Sequence, residues 1–380
     1  MKVLILSCAT GQGHNTAAEA LREALTACGA DCTVLDHISL KSERAAWKAA
    51  NAYIRSAVFA PFAFGAAYRV ANSISMRNGR SPVYWAQMKY ARVLEEHIQQ
   101  GEYDAVVTSH LFPAETLTYL KRHGRLTIPF YAVMTDYTCS PFWEETRPDV
   151  FFTPSERISD LFVKKGVPYE LILPYGIPVR KKTLEHEGKT SARNRLGISL
   201  GANLIVVMGG SMGGGRMVAV VRELLRRTPN KTLIVALCGT NHRLKNRLCN
   251  HFSMDARLIA LDYTDQVALW MEACDVLMTK PGGLTCTEAA VKGVPLVLTA
   301  PIPGCESCNA AYFERLGLAR RAFAPATAAT AAIALLNNEL AQQAMQHNQR
   351  KHINALAADD IAREILRAGE ARAYGSRRCP

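Results

Sequence analysis

Three constellations in this 380-residue chain carry residue types that do chemistry. The first is His14, directly behind the glycine pair of Gly11-Gln12-Gly13 and ahead of a helical stretch. An imidazole titrating near about pH 6.5 suits general acid–base work, and turns at the carboxyl ends of strands are where open α/β sheets bind ligands. The same imidazole could do no more than hydrogen-bond its turn. Asp136 closes another apolar run and could assist His14, or simply cap a turn. The second constellation is "NLIVVMGGSMGGG" (Asn203 to Gly215), with five glycines in its last seven residues and the Ser211 hydroxyl among them. Such a loop lets backbone N–H groups approach an anion at a helix N-terminus, with a flexible turn as the plain alternative. The third runs from Asp275 to Asn309 and holds Lys280, the turn Pro281-Gly282-Gly283-Leu284, and the pair Thr285 and Glu288.

These residues need rigid elements behind them. "KVLILS" (Lys2 to Ser7) reads as a buried strand of a parallel sheet, and Ala17, Ala18, Leu21, Ala24, Leu25 and Cys28 follow at helical spacing. Thr16 and Glu19 are spaced as a capping box at that helix start, as are Thr285 and Glu288 further on. Tyr103–Ser109, Ile128–Asp136 and Asp149–Ser155 read as strands whose polar ends converge near His14. A second set of strands and helices begins at Asn203, and the polar, weakly periodic stretch from Gly176 to Ser199 reads as a connection. The expected division is 1–176, a linker 177–200, a second domain 201–365, and a frayed tail 366–380. The turn around His14 lacks the third glycine of a dinucleotide fingerprint and the GK[ST] of a phosphate loop.

A formal net charge of +12 implies an anionic partner: nucleic acid, an anionic membrane or a phosphorylated substrate. The charge is concentrated. Arg44 to Arg92 holds eight Lys/Arg and no Asp or Glu, interleaved with aromatics such as Trp47, Tyr53, Phe62, Tyr68 and Trp85. Its most apolar part, "SAVFAPFAFGAAY", is shorter than the roughly 20 residues of a spanning helix. A membrane-surface element fits this composition, and a core helix with a solvated basic face is the alternative. Eleven scattered cysteines, including the Cys305-x-x-Cys308 pair, indicate reduced thiols in a cytosolic compartment.

"GQGHNTAA", "TDYTCSPFW", "GIPVR", "GGSMGGG", "KPGGLTCTEA" and "PIPGCESCNA", in this order, resemble the monogalactosyldiacylglycerol synthase and processive diacylglycerol glycosyltransferase family, relatives of the peptidoglycan N-acetylglucosaminyltransferase. The likeness runs from the first strand to about residue 320. It implies the α/β GT-B fold, two Rossmann-like domains across a cleft, with a UDP-sugar on the C-terminal one and a lipid acceptor on the N-terminal one. It puts Gly210, Ser211, Met212 and Gly213 at the diphosphate, joined by Gly282, Gly283, Leu284 and Thr285. It puts Glu288 at the ribose, Tyr263 and its neighbours at the uracil, and Glu306 and Asn309 at the donor sugar. Cys305 stands where the family commonly has glutamine, and a thiol is a poor hydrogen-bond partner, so the donor sugar is left open.

The expected reaction is inverting transfer of a hexose from UDP-glucose or UDP-galactose to the hydroxyl of diacylglycerol or a glycosyl-diacylglycerol. His14 is the expected base, with Asp136 as its substitute. The resemblance implies that backbone N–H groups and helix dipoles, rather than a protein-bound metal, take the leaving group's charge. No DxD motif suggests a metal-bridged diphosphate, so no metal and no cofactor are expected; Lys280 could add a positive charge or simply be a solvent-facing strand end. The expected location is cytoplasmic, peripheral on the inner face of the membrane through residues 44–92. Two rivals are transfer to a peptidoglycan lipid intermediate or small soluble acceptor, and nucleic-acid binding; no nucleic-acid reader motif is present, so no nucleic acid is expected.

Overall fold

The computed structural model describes residues 1–8, 12–42, 61–75, 79–211, 213–214 and 216–376, and of 61–64 and 373–376 the backbone alone. The chain forms two compact units, Met1–Lys181 with Ala355–Pro380, and Lys182–Asn354.

The first unit is built on six parallel strands: β1 (Lys2–Ser7), β2 (Asp31–Asp36), β3 (Ala105–Thr108), β4 (Phe130–Val133), β5 (Val150–Phe152) and β6 (Ile172–Leu173). Their order is β2-β1-β3-β4-β5-β6. Apolar runs without alternation give strands buried on both faces, as a parallel sheet covered by helices requires. The chain leaves β1 toward β2 on one side and returns to β3 on the other. That reversal opens a crevice at the carboxyl ends of β1 and β3.

The helix after β1 spans Gln12–Ala27 and so begins ahead of the expected capping box. Thr16 is already inside it, and its hydroxyl donates back to the Gln12 carbonyl at 2.9 Å, while Glu19 pairs with Arg22. The helix buries Ala18, Leu21 and Leu25 in one cluster with Val3 and Ile5 of β1.

Ile361, Ala362 and Ile365 complete that cluster from the C-terminal helix Ala357–Ser376. Residues 355–365, expected in the second domain, therefore belong to the first unit, and the tail expected from residue 366 continues the same helix, with Leu366 and Ala368 packed against the cluster. Burying an isoleucine fully stabilises by about 1.5–3 kcal/mol, which explains why the chain returns there.

Of the basic stretch, residues 44–60 and 76–78 lie outside the described residues. The remainder includes a helix, Pro61–Ser75, whose Val70 and Ile74 are exposed. Its C-terminal end is pinned by Glu144, which meets Ser75, and by Lys165, which donates to Asn72 at 3.2 Å. Ser81 caps the next helix, Pro82–Gln87, accepting from the Tyr84 amide at 3.0 Å; Trp85 on it is exposed. Among the described residues no helix is long and apolar enough to cross a membrane.

The second unit holds β7 (Asn203–Met208), β8 (Thr232–Leu237), β9 (Leu258–Leu261), β10 (Val276–Thr279), β11 (Leu296–Leu298) and β12 (Arg320–Arg321), again all parallel. Their order is β12-β11-β10-β7-β8-β9, so the switch point lies between β7 and β10. The expected linker is not a free connection. Ile177 and Val179 are buried in the first unit, where Arg180 grips Glu23 at 2.6 Å. Residues 189–195 form a helix of the second unit, anchored by the buried Arg193, which pairs with Asp275 at 2.8 Å and donates to the Ala273 carbonyl at 3.0 Å. An arginine with that many partners holds polar sequence to a core that apolar periodicity would not reveal. The second capping box also gives way: the helix runs Gly283–Val291 with Gly282 at its N-cap, so Thr285 lies within its first turn.

Candidate functional site

In the first unit the crevice between β1 and β3 gathers residues far apart in the chain. His14 follows β1, Ser109 and His110 follow β3, and Thr135 and Asp136 follow β4. The half-buried His14 places Nδ1 2.9 Å from the Ser109 carbonyl oxygen and 3.0 Å from Thr135 Oγ1. Ser109 Oγ donates in return to the His14 carbonyl at 3.1 Å. A carbonyl only accepts, so Nδ1 carries the proton in the neutral ring and Nε2 is the basic nitrogen. Burial lowers the His14 pKa, and the negative charge of Asp136 opposes that shift. The ring thus stays largely unprotonated at neutral pH, the state a base requires. The expected convergence on His14 holds for the strand ends at Ser109 and Thr135.

His110, beside His14 with ring centroids 4.6 Å apart in an edge arrangement, does different work. Its Nδ1 accepts from the Phe112 amide at 3.1 Å and caps the helix Leu111–Arg122. Accepting there requires an unprotonated Nδ1, and burial holds the His110 pKa well below its usual value. Ser109 and Thr135, which fix the His14 ring, carry no motif of their own; only the ends of their strands pointed to them.

In the second unit two loops flank the switch point. Thr279 and Met208 are register partners, so Lys280 leaves β10 at the level where Gly209 leaves β7. The loop after β7 folds on itself, with the Gly213 amide donating to Gly210 at 3.0 Å and the Gly214 amide to Gly209 at 2.7 Å. Gly213 has φ +55°, and a Cβ there would stand 2.2 Å from the Cys238 carbonyl oxygen. The loop after β8 locks it from outside: Thr240 donates its amide to Ser211 at 2.8 Å, and Asn241 its side-chain amide to Gly213 at 3.1 Å. That support from Cys238–Asn241 was not foreseen in the sequence. Met212, the remaining expected member of this loop, lies outside the described residues.

The second loop is Lys280–Gly282. Gly282 has open space where a Cβ would point, and as the N-cap residue it brings no side chain to the first amides of the helix after it. Amides at a helix start carry the positive end of the dipole and suit an anion. Gly283 and Leu284 are buried in that first turn, Thr285 and Glu288 half-buried along the same helix. Asn309 is fully buried in the helix Cys305–Arg315 and donates to the Pro281 carbonyl at 3.0 Å, so it braces the turn. Glu306, one turn earlier, accepts from Lys280 Nζ at 3.0 Å and from the Ile302 amide at 2.7 Å. Tyr263 is exposed in the loop after β9, beside Asp262, whose carboxylate is held below its usual range by Lys245 and His242. Among the described residues no group of three or more His, Cys, Asp or Glu side chains is arranged to hold a metal ion.

Residues 14–179 match the family model of monogalactosyldiacylglycerol (MGDG) synthase, and residues 204–365 that of the glycosyltransferase family 28 C-terminal domain. A processive diacylglycerol beta-glucosyltransferase of Staphylococcus saprophyticus is 30% identical over 227 residues, 60% of this chain and 58% of that protein. The match thus spans less than two thirds of that relative. One of the same name from Bacillus pumilus is 26% identical over 370 residues, 96% of this chain and 95% of that protein. Among solved structures, Acinetobacter baumannii MurG aligns with TM-score 0.63 at 16% identity, over 96% of this chain and 99% of its own. A UDP-GlcNAc 2-epimerase of Neisseria meningitidis bound to UDP-GlcNAc aligns with TM-score 0.64 at 12% identity, over 97% and 100%. These neighbours bear out the GT-B fold class.

Proposed function

This chain belongs to the monogalactosyldiacylglycerol synthase and processive diacylglycerol glycosyltransferase family, and on that premise we propose that it transfers a hexose from UDP-glucose or UDP-galactose to the hydroxyl of diacylglycerol or a glycosyl-diacylglycerol. The observation that carries the reading is the pair of loops at the β7/β10 switch point, with a lysine over one and a glycine-led helix start in the other. It suits a diphosphate, whose charge rises as the bond to the sugar breaks. Gly210, Ser211, Met212 and Gly213 with Gly282, Gly283, Leu284 and Thr285 receive the diphosphate, Glu288 the ribose, Tyr263 the uracil side, and Glu306 with Asn309 the hexose end.

The acceptor half belongs to the first unit. His14 Nε2 takes the proton of the acceptor hydroxyl as that oxygen bonds to the anomeric carbon, and the bond from this carbon to the diphosphate oxygen breaks in the same displacement. The configuration inverts and UDP departs. Asp136 favours the imidazolium that forms, since its charge raises the His14 pKa. The reaction needs no metal in this reading, because N–H groups and Lys280 meet the leaving charge. The basic stretch 44–92, with the exposed Val70, Ile74 and Trp85, lies against an anionic membrane surface, where the acceptor resides.

The test is incubation of the full chain with labelled UDP-glucose or UDP-galactose and diacylglycerol in anionic vesicles, neutral vesicles or detergent, each with and without EDTA. Labelled glycolipid is expected in EDTA and most strongly on anionic vesicles. Transfer only to a peptidoglycan lipid intermediate or a soluble acceptor overturns the acceptor assignment. Loss in EDTA that magnesium restores overturns the metal-free route.

A further inference from the structure

Lys280 and Glu306 form an ion pair whose side chains are 15% and 16% exposed, at the edge of the glycine loop. The stem of Lys280 lies along that loop: a Cβ on Gly210 would come within 3.3 Å of Lys280 Cε, and one on Gly214 within 3.8 Å of it. These two glycines therefore leave room for the lysine as well as for a ligand. The ammonium has three donors, and among the described residues one meets an acceptor, Glu306 Oε1 at 3.0 Å. Glu306 is held at both oxygens, since Oε2 accepts from the Ile302 amide at 2.7 Å. A carboxylate offers roughly four lone-pair sites, so two are left for hydroxyl donors. Lys280 thus faces the diphosphate loop with two donors and fixes, through the third, a carboxylate whose open sites suit sugar hydroxyls.

We infer that Lys280 is a positioning residue for Glu306, coupling recognition of the hexose hydroxyls to recognition of the diphosphate. The inference rests on the donor-site reading above. An ordinary phosphate lysine acts as a point charge, at least as strongly on UDP, whose terminal phosphate carries the extra negative charge, as on a UDP-sugar. A lysine that also orders the hexose-reading carboxylate acts more strongly on the UDP-sugar. Cys305 sharpens the dependence, because a thiol in the preceding position is a weak hydrogen-bond partner and leaves Glu306 with more of the discrimination.

The experiment measures the affinities of the full chain for UDP and for UDP-glucose and UDP-galactose by calorimetry. It uses wild type, Lys280→Met, Lys280→Arg, Glu306→Gln and the Lys280→Met/Glu306→Gln double variant, each checked for fold by circular dichroism. The quantity read is the ratio of UDP-hexose to UDP affinity for the better-bound hexose. Lys280→Met should lower that ratio by about tenfold, Glu306→Gln by a similar factor, and the double variant by no more than either, while Lys280→Arg keeps most of it. Losses for UDP as large as or larger than those for UDP-hexose in Lys280→Met make the lysine a phosphate ligand alone and overturn the proposal. Additive losses in the double variant overturn it as well. Wild type that binds UDP but neither UDP-hexose overturns the coupling while leaving the nucleotide site standing. Wild type that binds no uridine nucleotide overturns the donor-site reading itself.

Discussion

The Nδ1–H of His14 meets the carbonyl oxygen of Ser109 at 2.9 Å, across 95 residues of chain. That bond decides which ring nitrogen is basic, because the carbonyl cannot donate. It also ties the start of the helix after β1 to the end of β3, where the sheet order reverses.

Replacing this ring by alanine should lower turnover by about 10²–10⁴-fold. UDP affinity should stay near wild type, since the uridine site is assigned to the other unit. The folded pKa of His14 is depressed below the unfolded value of 6.5, so the free base persists into mildly acidic solution. The acid limb of kcat in wild type should accordingly fall below pH 6.5. Full turnover in the variant would transfer the base role to Asp136.

Glu115 lies fully buried on the helix after β3, and neither carboxylate oxygen meets a hydrogen-bond partner among the described residues. Burial, with the nearby charge of Glu145, pushes its pKa up from 4.5 to about 10. An unfolded chain ionises this group first, so its stabilising share is complete below pH 4.5 and is lost as pH rises toward about 10. The loss runs at roughly 1.4 kcal/mol for each pH unit in between. Glu115→Gln keeps the shape without the titration. Its melting temperature should gain on wild type between pH 5 and pH 8, whereas a constant difference across that range would contradict a neutral buried carboxyl.

Gly213 and Gly282 separate architecture from binding. At Gly213 a side chain meets the Cys238 carbonyl and adopts φ +55°, so Gly213→Val should destabilise the second unit on the order of 1–3 kcal/mol besides obstructing a diphosphate. At Gly282 a methyl points into open space, so Gly282→Ala should leave stability within about 1 kcal/mol of wild type. Denaturant titration paired with UDP calorimetry reads both. Weakened UDP binding by a stable Gly282→Ala protein would locate the ligand at that turn, and wild-type affinity would remove Gly282 from the site.

Much of this architecture is legible in the chain itself. Uninterrupted apolar runs such as Lys2–Ser7 and Asn203–Met208 mark strands buried on both faces, and glycine turns mark where those strands hand over to helices. Local signals misplace edges: Thr16 and Thr285 look like caps, yet tertiary packing starts both helices earlier. Composition also misleads where one side chain does the anchoring, as Arg193 does for a polar helix, and where a segment folds back, as Ile361 and Ile365 do onto the first helix.

The order of strands in each sheet is a property of the folded chain alone. Periodicity reports which face of an element is buried, and nothing in it says on which side of β1 the third strand will settle. That choice brings Ser109 and Thr135 to His14, and β10 beside β7 puts Lys280 over Gly210 and against Glu306. Residue types set what each group is able to do; sheet order and the close packing around it set which groups do it together, because hydrogen bonds and ion pairs act only over a few ångströms.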